Sequence, residues 1–272
     1  LIARPAHVDR DAERSSSRDI VLCLDVSGSA LPYDRAVIET YLELVSHFRG
    51  ERIALSIFNS TSRTVFPLTD DYDLVSSQLT KAADALRGVE SQDDIDKMSD
   101  KDYQKIADWL EGTQNRKNST SLIGDGLVSC AAMIPGFAYG DTSGAARQRP
   151  ASIVLATDNV ASGTPTYSLA QALDMAEASH ISVDGLFSGP RQSEGDATTT
   201  EMKQQIESRG GTFLTQSGSS DINELVRQID SRRTSESRRS SQAALIDAPG
   251  WWTLMLVVLL AIWMILAWRL RR

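Results

Sequence analysis

Side chains that carry oxygen gather at three places in this sequence, each at the end of a predicted strand or the start of a predicted helix. The first is the turn Asp25-Val26-Ser27-Gly28-Ser29, in which alternate residues present one carboxylate and two hydroxyls to the same side. The second is residues 119–126, where hydroxyls precede a helix, and the third is residues 156–159, which include Asp158. Together they form an all-oxygen set suited to a hard divalent cation such as Mg²⁺.

These three groups can meet only if the chain between them forms a parallel sheet. The predicted strands are apolar runs at residues 19–25, 52–58, 63–67, 152–157, 181–187 and 211–214. The predicted helices lie at residues 33–48, 74–86, 122–134, 168–179, 198–208 and 221–229. Strands that alternate with helices predict an α/β fold with a doubly wound, mostly parallel sheet flanked by helices on both faces. Ligands of such sheets bind beyond the carboxyl ends of the strands, where all three groups are expected.

This combination resembles the von Willebrand factor type A (VWA) domain with its metal-ion-dependent adhesion site. The family's Asp-x-Ser-x-Ser pattern is present as Asp25, Ser27 and Ser29, and Asp158 matches the family's second aspartate. The resemblance covers roughly residues 19–229. A serine-rich turn that only caps the next helix is the alternative.

The family's threonine corresponds to Ser121, or to Thr120 if the loop differs by one residue. A further departure is Asn159, which occupies the position of the usual glycine. The resemblance implies that Mg²⁺, or Mn²⁺ or Ca²⁺, is bound by a set of six candidate residues: Asp25, Ser27, Ser29, Ser121, Thr120 and Asp158. It also implies that an Asp or Glu of a partner protein completes the coordination, giving metal-dependent binding without catalysis.

Two kinds of enzyme are alternatives to a metal-dependent binding site. A phosphatase of the haloacid-dehalogenase type would need an aspartate at position 27, which is serine. A hydrolase triad on Ser27 or Ser29 would need a histidine nearby, and His7, His47 and His180 do not follow strands. The absence of His and Cys from the three loops also argues against zinc. The sequence therefore predicts a binding protein rather than an enzyme.

The charge of the domain limits the kinds of partner that it can bind. Residues 1–230 contain 21 basic and 34 acidic residues, a net charge of −13. Such an acidic domain repels phosphate backbones, so we expect no nucleic-acid partner.

The two cysteines, Cys23 and Cys130, lie in apolar stretches. They are interpreted as small buried thiols, with a disulfide bridge between them as the less favoured alternative.

The end of the chain predicts a membrane anchor. Residues 250–268 contain no charge and no proline, and at 1.5 Å per residue they span about 28 Å, close to the thickness of a bilayer core. Tryptophans lie at both ends of this run, and the basic tail 269–272 follows it. Positive residues directly beside the span favour a cytoplasmic C-terminus and an extracytoplasmic VWA domain, tethered by a flexible, serine- and arginine-rich stalk at 231–249.

Two further segments complete the domain map. Residues 1–18 are interpreted as a linker or as the end of a trimmed N-terminal segment, and residues 88–120 as an acidic insertion within the domain at 19–230. In the insertion, Tyr103, Ile106, Trp109 and Leu110 share one predicted helical face, which either packs on the domain or contacts a partner. The architecture resembles membrane-anchored bacterial proteins of the aerotolerance (BatA-like) type, which implies an alternative role as a subunit working with a MoxR-type AAA+ ATPase.

Overall fold

Six strands form one sheet in the computed structural model, which describes residues 18–48, 50–89, 91–115, 118–137, 149–215, 227 and 250–270. The strands are β1 (Asp19–Asp25), β2 (Arg52–Phe58), β3 (Ser62–Thr69), β4 (Ala151–Thr157), β5 (Ile181–Phe187) and β6 (Phe213–Leu214). Their order is β3-β2-β1-β4-β5-β6, and β3 alone among these strands runs antiparallel to its neighbour. The predicted mostly parallel α/β sheet is therefore confirmed.

Helices cover both faces of this sheet, which explains why the central strands are apolar along their whole length. Every residue of β1 and β4 is buried. The helices are α1 (Leu31–His47), α2 (Tyr72–Ala85), α3 (Gln92–Asp96), α4 (Asp100–Leu110), α5 (Ile123–Ala132), α6 (Leu169–Ala178), α7 (Ala197–Glu207) and α8 (Gly250–Leu270), with a 3-10 turn at Arg191–Ser193. Several begin at side-chain caps, such as the capping box of Ser168 and Gln171 at α6.

The alternation of side chains along β1 divides the core into two clusters. Ile20, Leu22 and Leu24 enter the cluster that contains α1, α2 and α4. Val21 and Cys23 enter the cluster formed with α5, α6 and α7. The backbone of β1 is thereby held from both sides, and its last residue, Asp25, is fixed at the carboxyl edge of the sheet.

A disulfide links Cys23 of β1 to Cys130 of α5, so the prediction of two free buried thiols is wrong. The two Cα atoms are 6.1 Å apart, although the residues are separated by 107 positions in the sequence. The bridge forms because α5 packs directly against the middle of the sheet. Gly126 permits this approach, since a Cβ at that position would lie 2.5 Å from the Phe58 ring.

The insertion at 88–120 packs mainly on its own domain. Ile106 is buried, and Trp109 and Leu110 pack against the same cluster. Arg63 of β3 donates from Nη2 to the Trp109 carbonyl at 2.6 Å and lies over the indole ring. Tyr103, predicted on the same face, is 54% exposed.

The helix predicted near the C-terminus forms as α8, and its described side chains, from Met255 to Leu270, are exposed. Within the described part of the chain, no helix is both long and apolar enough to cross a membrane. The predicted membrane span at 250–268 is therefore not confirmed. The linker up to residue 17, the stalk at 231–249 and, apart from Arg227, the predicted helix at 221–229 lie outside the described residues.

Candidate metal centre

The carboxylate of Asp25 is the centre of a hydrogen-bonded cluster at the carboxyl edge of the sheet. Its Oδ1 accepts a bond from the backbone N–H of Ser27 at 3.0 Å. Its Oδ2 accepts bonds from the hydroxyl of Thr157, at 2.6 Å, and from the hydroxyl of Ser121. Asp25 has no solvent exposure. Residues from three separated parts of the sequence thus meet at one carboxylate.

Ser27, Ser29 and Asp158 form the second half of this cluster. The hydroxyl oxygens of Ser27 and Ser29 are 3.3 Å apart, and the Ser29 side chain lies near the Asp158 carboxylate. Oδ1 of Asp158 also accepts from the backbone N–H of Val160 at 2.9 Å, which closes the turn after β4. Ser29 is exposed, whereas Asp158 is nearly buried, so the cluster opens to solvent on the Ser29 side.

Both carboxylates are held where a negative charge is unfavourable. Burial raises the pKa of Asp25 to about 6; the hydroxyls of Ser121 and Thr157 partly oppose this, and the charge of Asp158 adds to it. Burial also raises the pKa of Asp158, and the nearby Ser29 side chain partly opposes this rise. Asp25 and Asp158 are neighbouring buried acids, and neither forms an ion pair with a basic side chain among the described residues. A bound cation would stabilise this arrangement.

A third acid, Asp34 in the first turn of α1, lies behind this pair and was missed by the sequence analysis. It is fully buried; its Oδ1 is 3.5 Å from the Ser188 hydroxyl, and its Oδ2 has no hydrogen-bond partner among the described residues. Burial, and secondarily the charges of Asp25 and Asp158, raise its pKa well above the usual value. Its position depends on how α1 packs, so no local sequence pattern could have revealed it.

Of the two alternatives for the family's threonine, the structure brings Ser121 to Asp25. Ser121 is buried, and Oδ1 of Asn59 accepts from its backbone N–H at 2.9 Å. Thr120 is exposed and pairs through its backbone with Ser162 in an isolated β-bridge. Thr157 is a further participant that the sequence analysis did not select, although it directly precedes Asp158.

Asn159, the departure from the usual glycine, adopts a left-handed backbone with φ of 58°. Asparagine is one of the few residues other than glycine that take this conformation routinely. Its side-chain Nδ2 donates to the carbonyl of Thr198 at 2.8 Å, so the turn after β4 is fastened to the first turn of α7. The substitution is therefore compatible with the turn and adds a contact to it.

The loop that follows this turn is held by α5. Asp125 accepts bonds from the backbone N–H groups of Thr166, at 2.9 and 3.1 Å, and Tyr167, at 2.8 Å. A Cβ at Gly124 would collide with the Tyr167 carbonyl, which shows how closely helix and loop approach. Asp125 was not among the predicted site residues, because its partners lie more than forty positions away.

A groove with a volume of about 640 Å³ adjoins the cluster. We call it the edge groove; residues that line it include Ser29, Tyr33, Ser91, Asp158, Val160 and Asp196. Ser91 belongs to the insertion at 88–120, which therefore contributes to the surroundings of the site. A volume of this size is typical of pockets that bind ligands.

The donor set fits a divalent cation with a preference for oxygen ligands. Among the residues that the structure describes, no group of three or more His, Cys, Asp or Glu side chains could hold a metal ion. A cation here would therefore depend on hydroxyl oxygens beside the carboxylates, which suits Mg²⁺ or Mn²⁺ better than zinc. The residues of the cluster that could hold such an ion are Asp25, Ser27, Ser29, Ser121 and Asp158.

No protein-family model matches the sequence, and no curated protein matches it. Similar solved structures do exist. The conserved hypothetical protein BatB from Bacteroides thetaiotaomicron is 15% identical, with 80% of this chain and 99% of that chain covered and a TM-score of 0.50.

Two others have lower TM-scores. An aerotolerance-related membrane protein from Bacteroides fragilis is 17% identical, with 78% of this chain and 99% of that chain covered and a TM-score of 0.44. Manganese-loaded TRAP protein from Plasmodium vivax is 13% identical, with 79% of this chain and 72% of that chain covered and a TM-score of 0.46. At such identities a likeness concerns the fold alone. The chain thus has an α/β fold, similar to that of BatB, with a mostly parallel sheet of the VWA type.

Proposed function

We propose that this chain is a binding module that captures a protein ligand through a divalent metal ion. Asp25, Ser27, Ser29, Ser121 and Asp158 would hold Mg²⁺ or Mn²⁺. The observation that carries the proposal is the buried Asp25 carboxylate, which accepts bonds from Ser121 and Thr157 while a second carboxylate, Asp158, lies close enough to raise its pKa. A cation would relieve this unfavourable concentration of negative charge.

A divalent cation bound here would supply a positive centre that attracts a further oxygen ligand. The hydroxyls are neutral ligands, and an aspartate that acts through a coordinated water cancels less of the cation's charge than one that binds directly, so the site would keep an attraction for a further carboxylate. A glutamate or aspartate of a partner protein can complete the coordination. Thr157 and the backbone of Ser27 orient the Asp25 carboxylate, and the bond from Asn159 to Thr198 holds the turn beside Asp158.

We propose binding rather than catalysis, and the placement of the two histidines that the structure describes supports this. His180 directly precedes β5 and therefore lies at the amino edge of the sheet, opposite Ser27. His47 ends α1, a helix of 17 residues that starts beside the site and is about 25 Å long. Neither side chain can serve as the base for a serine nucleophile at the carboxyl edge.

The membrane anchor at 250–268 and an extracytoplasmic domain are also part of the proposal. Support for the anchor comes from the uncharged sequence of this run and from the apolar side chains that α8 exposes, such as Trp263 at 67%. Support for the orientation comes from the Cys23–Cys130 disulfide, since disulfides persist in oxidising compartments. If the domain proves to be cytosolic, the alternative is that the chain is a subunit of a complex that works with a MoxR-type AAA+ ATPase.

Calorimetry of the full chain with Mg²⁺ and with Mn²⁺ tests the proposed function. The wild type should bind one ion, and Asp25→Ala should not. Asp73→Ala, which removes an exposed acid from the first turn of α2, is the matched control and should bind as the wild type does. Equal binding by wild type and Asp25→Ala would overturn the assignment.

A further inference from the structure

We propose that the edge groove selects a partner segment in which the metal-binding carboxylate is accompanied by a basic residue, with Asp196 as the acceptor for that basic side chain. This inference rests on the proposed function and adds the chemistry of the partner to it. It identifies Asp196 as a residue that determines specificity.

The edge groove begins at the proposed metal centre. Ser29 and Asp158 both line it, so a carboxylate that reaches the metal brings its neighbouring residues into the groove. Of these two residues, Ser29 is exposed and Asp158 is buried. The residues of the partner next to that carboxylate would therefore contact the side chains that line the groove.

Asp196 supplies the second point of recognition. It lines the groove at the N-cap of α7, yet its side chain makes no capping hydrogen bond and is exposed. No lysine or arginine is among the described residues that line the groove, and the described ion pairs do not involve Asp196. Its charge is therefore available to a partner, and a basic side chain is the electrostatic complement.

The walls between these two points are apolar or carry hydroxyls. Val160 is 56% exposed beside Asp158, and Tyr33 and Pro190 provide further apolar surface. Ser91, from the insertion, adds a hydroxyl. Such walls suit the backbone and short side chains of an extended segment rather than a second charged group.

The two recognition points are held in a fixed relation by the structure. Asn159, next to Asp158, donates to the carbonyl of Thr198, which lies two residues after Asp196. The hydroxyl of Thr199 donates to the carbonyl of Ser193 at 2.8 Å and braces the same turn. A fixed distance between metal and Asp196 requires a fixed offset between the acidic and the basic residue of the partner.

A displayed library of short peptides, each with one fixed Glu and all other positions random, tests the proposal on the immobilised full chain in Mn²⁺. Peptides eluted by EDTA should carry Lys or Arg at a constant offset from the Glu. Their affinity should fall about three- to tenfold in Asp196→Asn. Selection on Asp196→Lys should replace the basic residue by an acidic one. Glu201→Lys, an exposed charge reversal on the same helix outside the groove lining, should leave the preference unchanged.

The outcomes separate this inference from the proposed function. EDTA-sensitive peptides without a basic preference, or with one that persists in Asp196→Lys, overturn the inference and leave metal-dependent binding intact. If no peptide is retained in a metal-dependent manner, the proposed function fails and the inference falls with it. Mn²⁺ calorimetry on each Asp196 variant tests whether its metal centre is folded. If Asp196→Lys does not bind Mn²⁺, the comparison of Asp196→Asn with the wild type still tests the inference.

Discussion

The hydroxyl of Thr157 donates to Oδ2 of Asp25 at 2.6 Å, which joins the last residue of β4 to the last residue of β1. These strands are neighbours in the sheet, and their ends lie in register. The bond stabilises the ionised form of Asp25, the form that a cation requires.

Removal of this bond should weaken metal binding without unfolding the chain. Thr157→Val keeps the shape of the side chain but loses the hydroxyl, so the Kd for Mn²⁺ should rise about tenfold. Thr157→Ser keeps a hydroxyl and should bind nearly as the wild type does. Calorimetry measures both, and equal affinity in the wild type and the valine variant would show that Thr157 has no role in the site.

Asp25 should contribute to how the stability of the metal-free chain depends on pH. Burial raises its pKa to about 6 in the folded chain, whereas an unfolded aspartate has a pKa of about 4. Between these values the folded state holds the proton and the unfolded state has released it. The free energy of unfolding should therefore fall as the pH rises through this window, by about 3 kcal/mol.

The variant Asp25→Asn should remove the contribution of Asp25 to this fall in the free energy of unfolding. In EDTA at about pH 7 the variant should unfold at a higher urea concentration than the wild type, and at about pH 4 the two should be alike. Saturating Mg²⁺ should reverse the order at neutral pH, because only the wild type binds it. A variant that is less stable than the wild type in EDTA at neutral pH contradicts the electrostatic account of the site.

The disulfide should contribute substantially to stability. Reduction, or the double substitution Cys23→Ala with Cys130→Ala, opens a loop of 107 residues and should lower the free energy of unfolding by about 2–5 kcal/mol. Alanine suits these buried positions because it adds no polar group. Urea unfolding measures the change. Two titratable thiols in the chain purified without reductant and unfolded in urea would refute the bridge.

The insertion at 88–120 offers a matched pair of substitutions on one helix. Ile106 is buried, so Ile106→Ala should cost about 2–5 kcal/mol of unfolding free energy. Tyr103 is mostly exposed, and Tyr103→Ala should change stability by no more than about 0.5 kcal/mol. Thermal unfolding compares the two. Similar effects of both substitutions would mean that the α4 face packs differently.

The orientation of the domain can be tested in cells. Protease added to intact cells or spheroplasts should release the domain by cleavage in the stalk at 231–249, because the basic tail at 269–272 favours a cytoplasmic C-terminus. A domain that survives until the membrane is permeabilised lies on the cytosolic side. A direct ATPase partner then becomes the leading interpretation.

The sequence by itself determined the fold class and the location of the candidate site. Apolar runs that alternate with helical patterns predict a parallel sheet, and Asp25, Ser27, Ser29 and Asp158 follow two of its strands. These inferences hold because hydrophobic periodicity and turn chemistry are local properties of the chain. The connection between a strand end and a ligand site is a general rule of such sheets.

Only the tertiary structure decided which distant residues meet. It brought Ser121 rather than Thr120 to Asp25, joined Cys23 to Cys130 and buried Asp34 behind the site. Each of these results depends on how helices pack on the sheet, since a shift of one residue at a helix start exchanges a buried side chain for an exposed one. Contacts between residues far apart in sequence arise from packing in three dimensions, and local patterns carry no record of that packing.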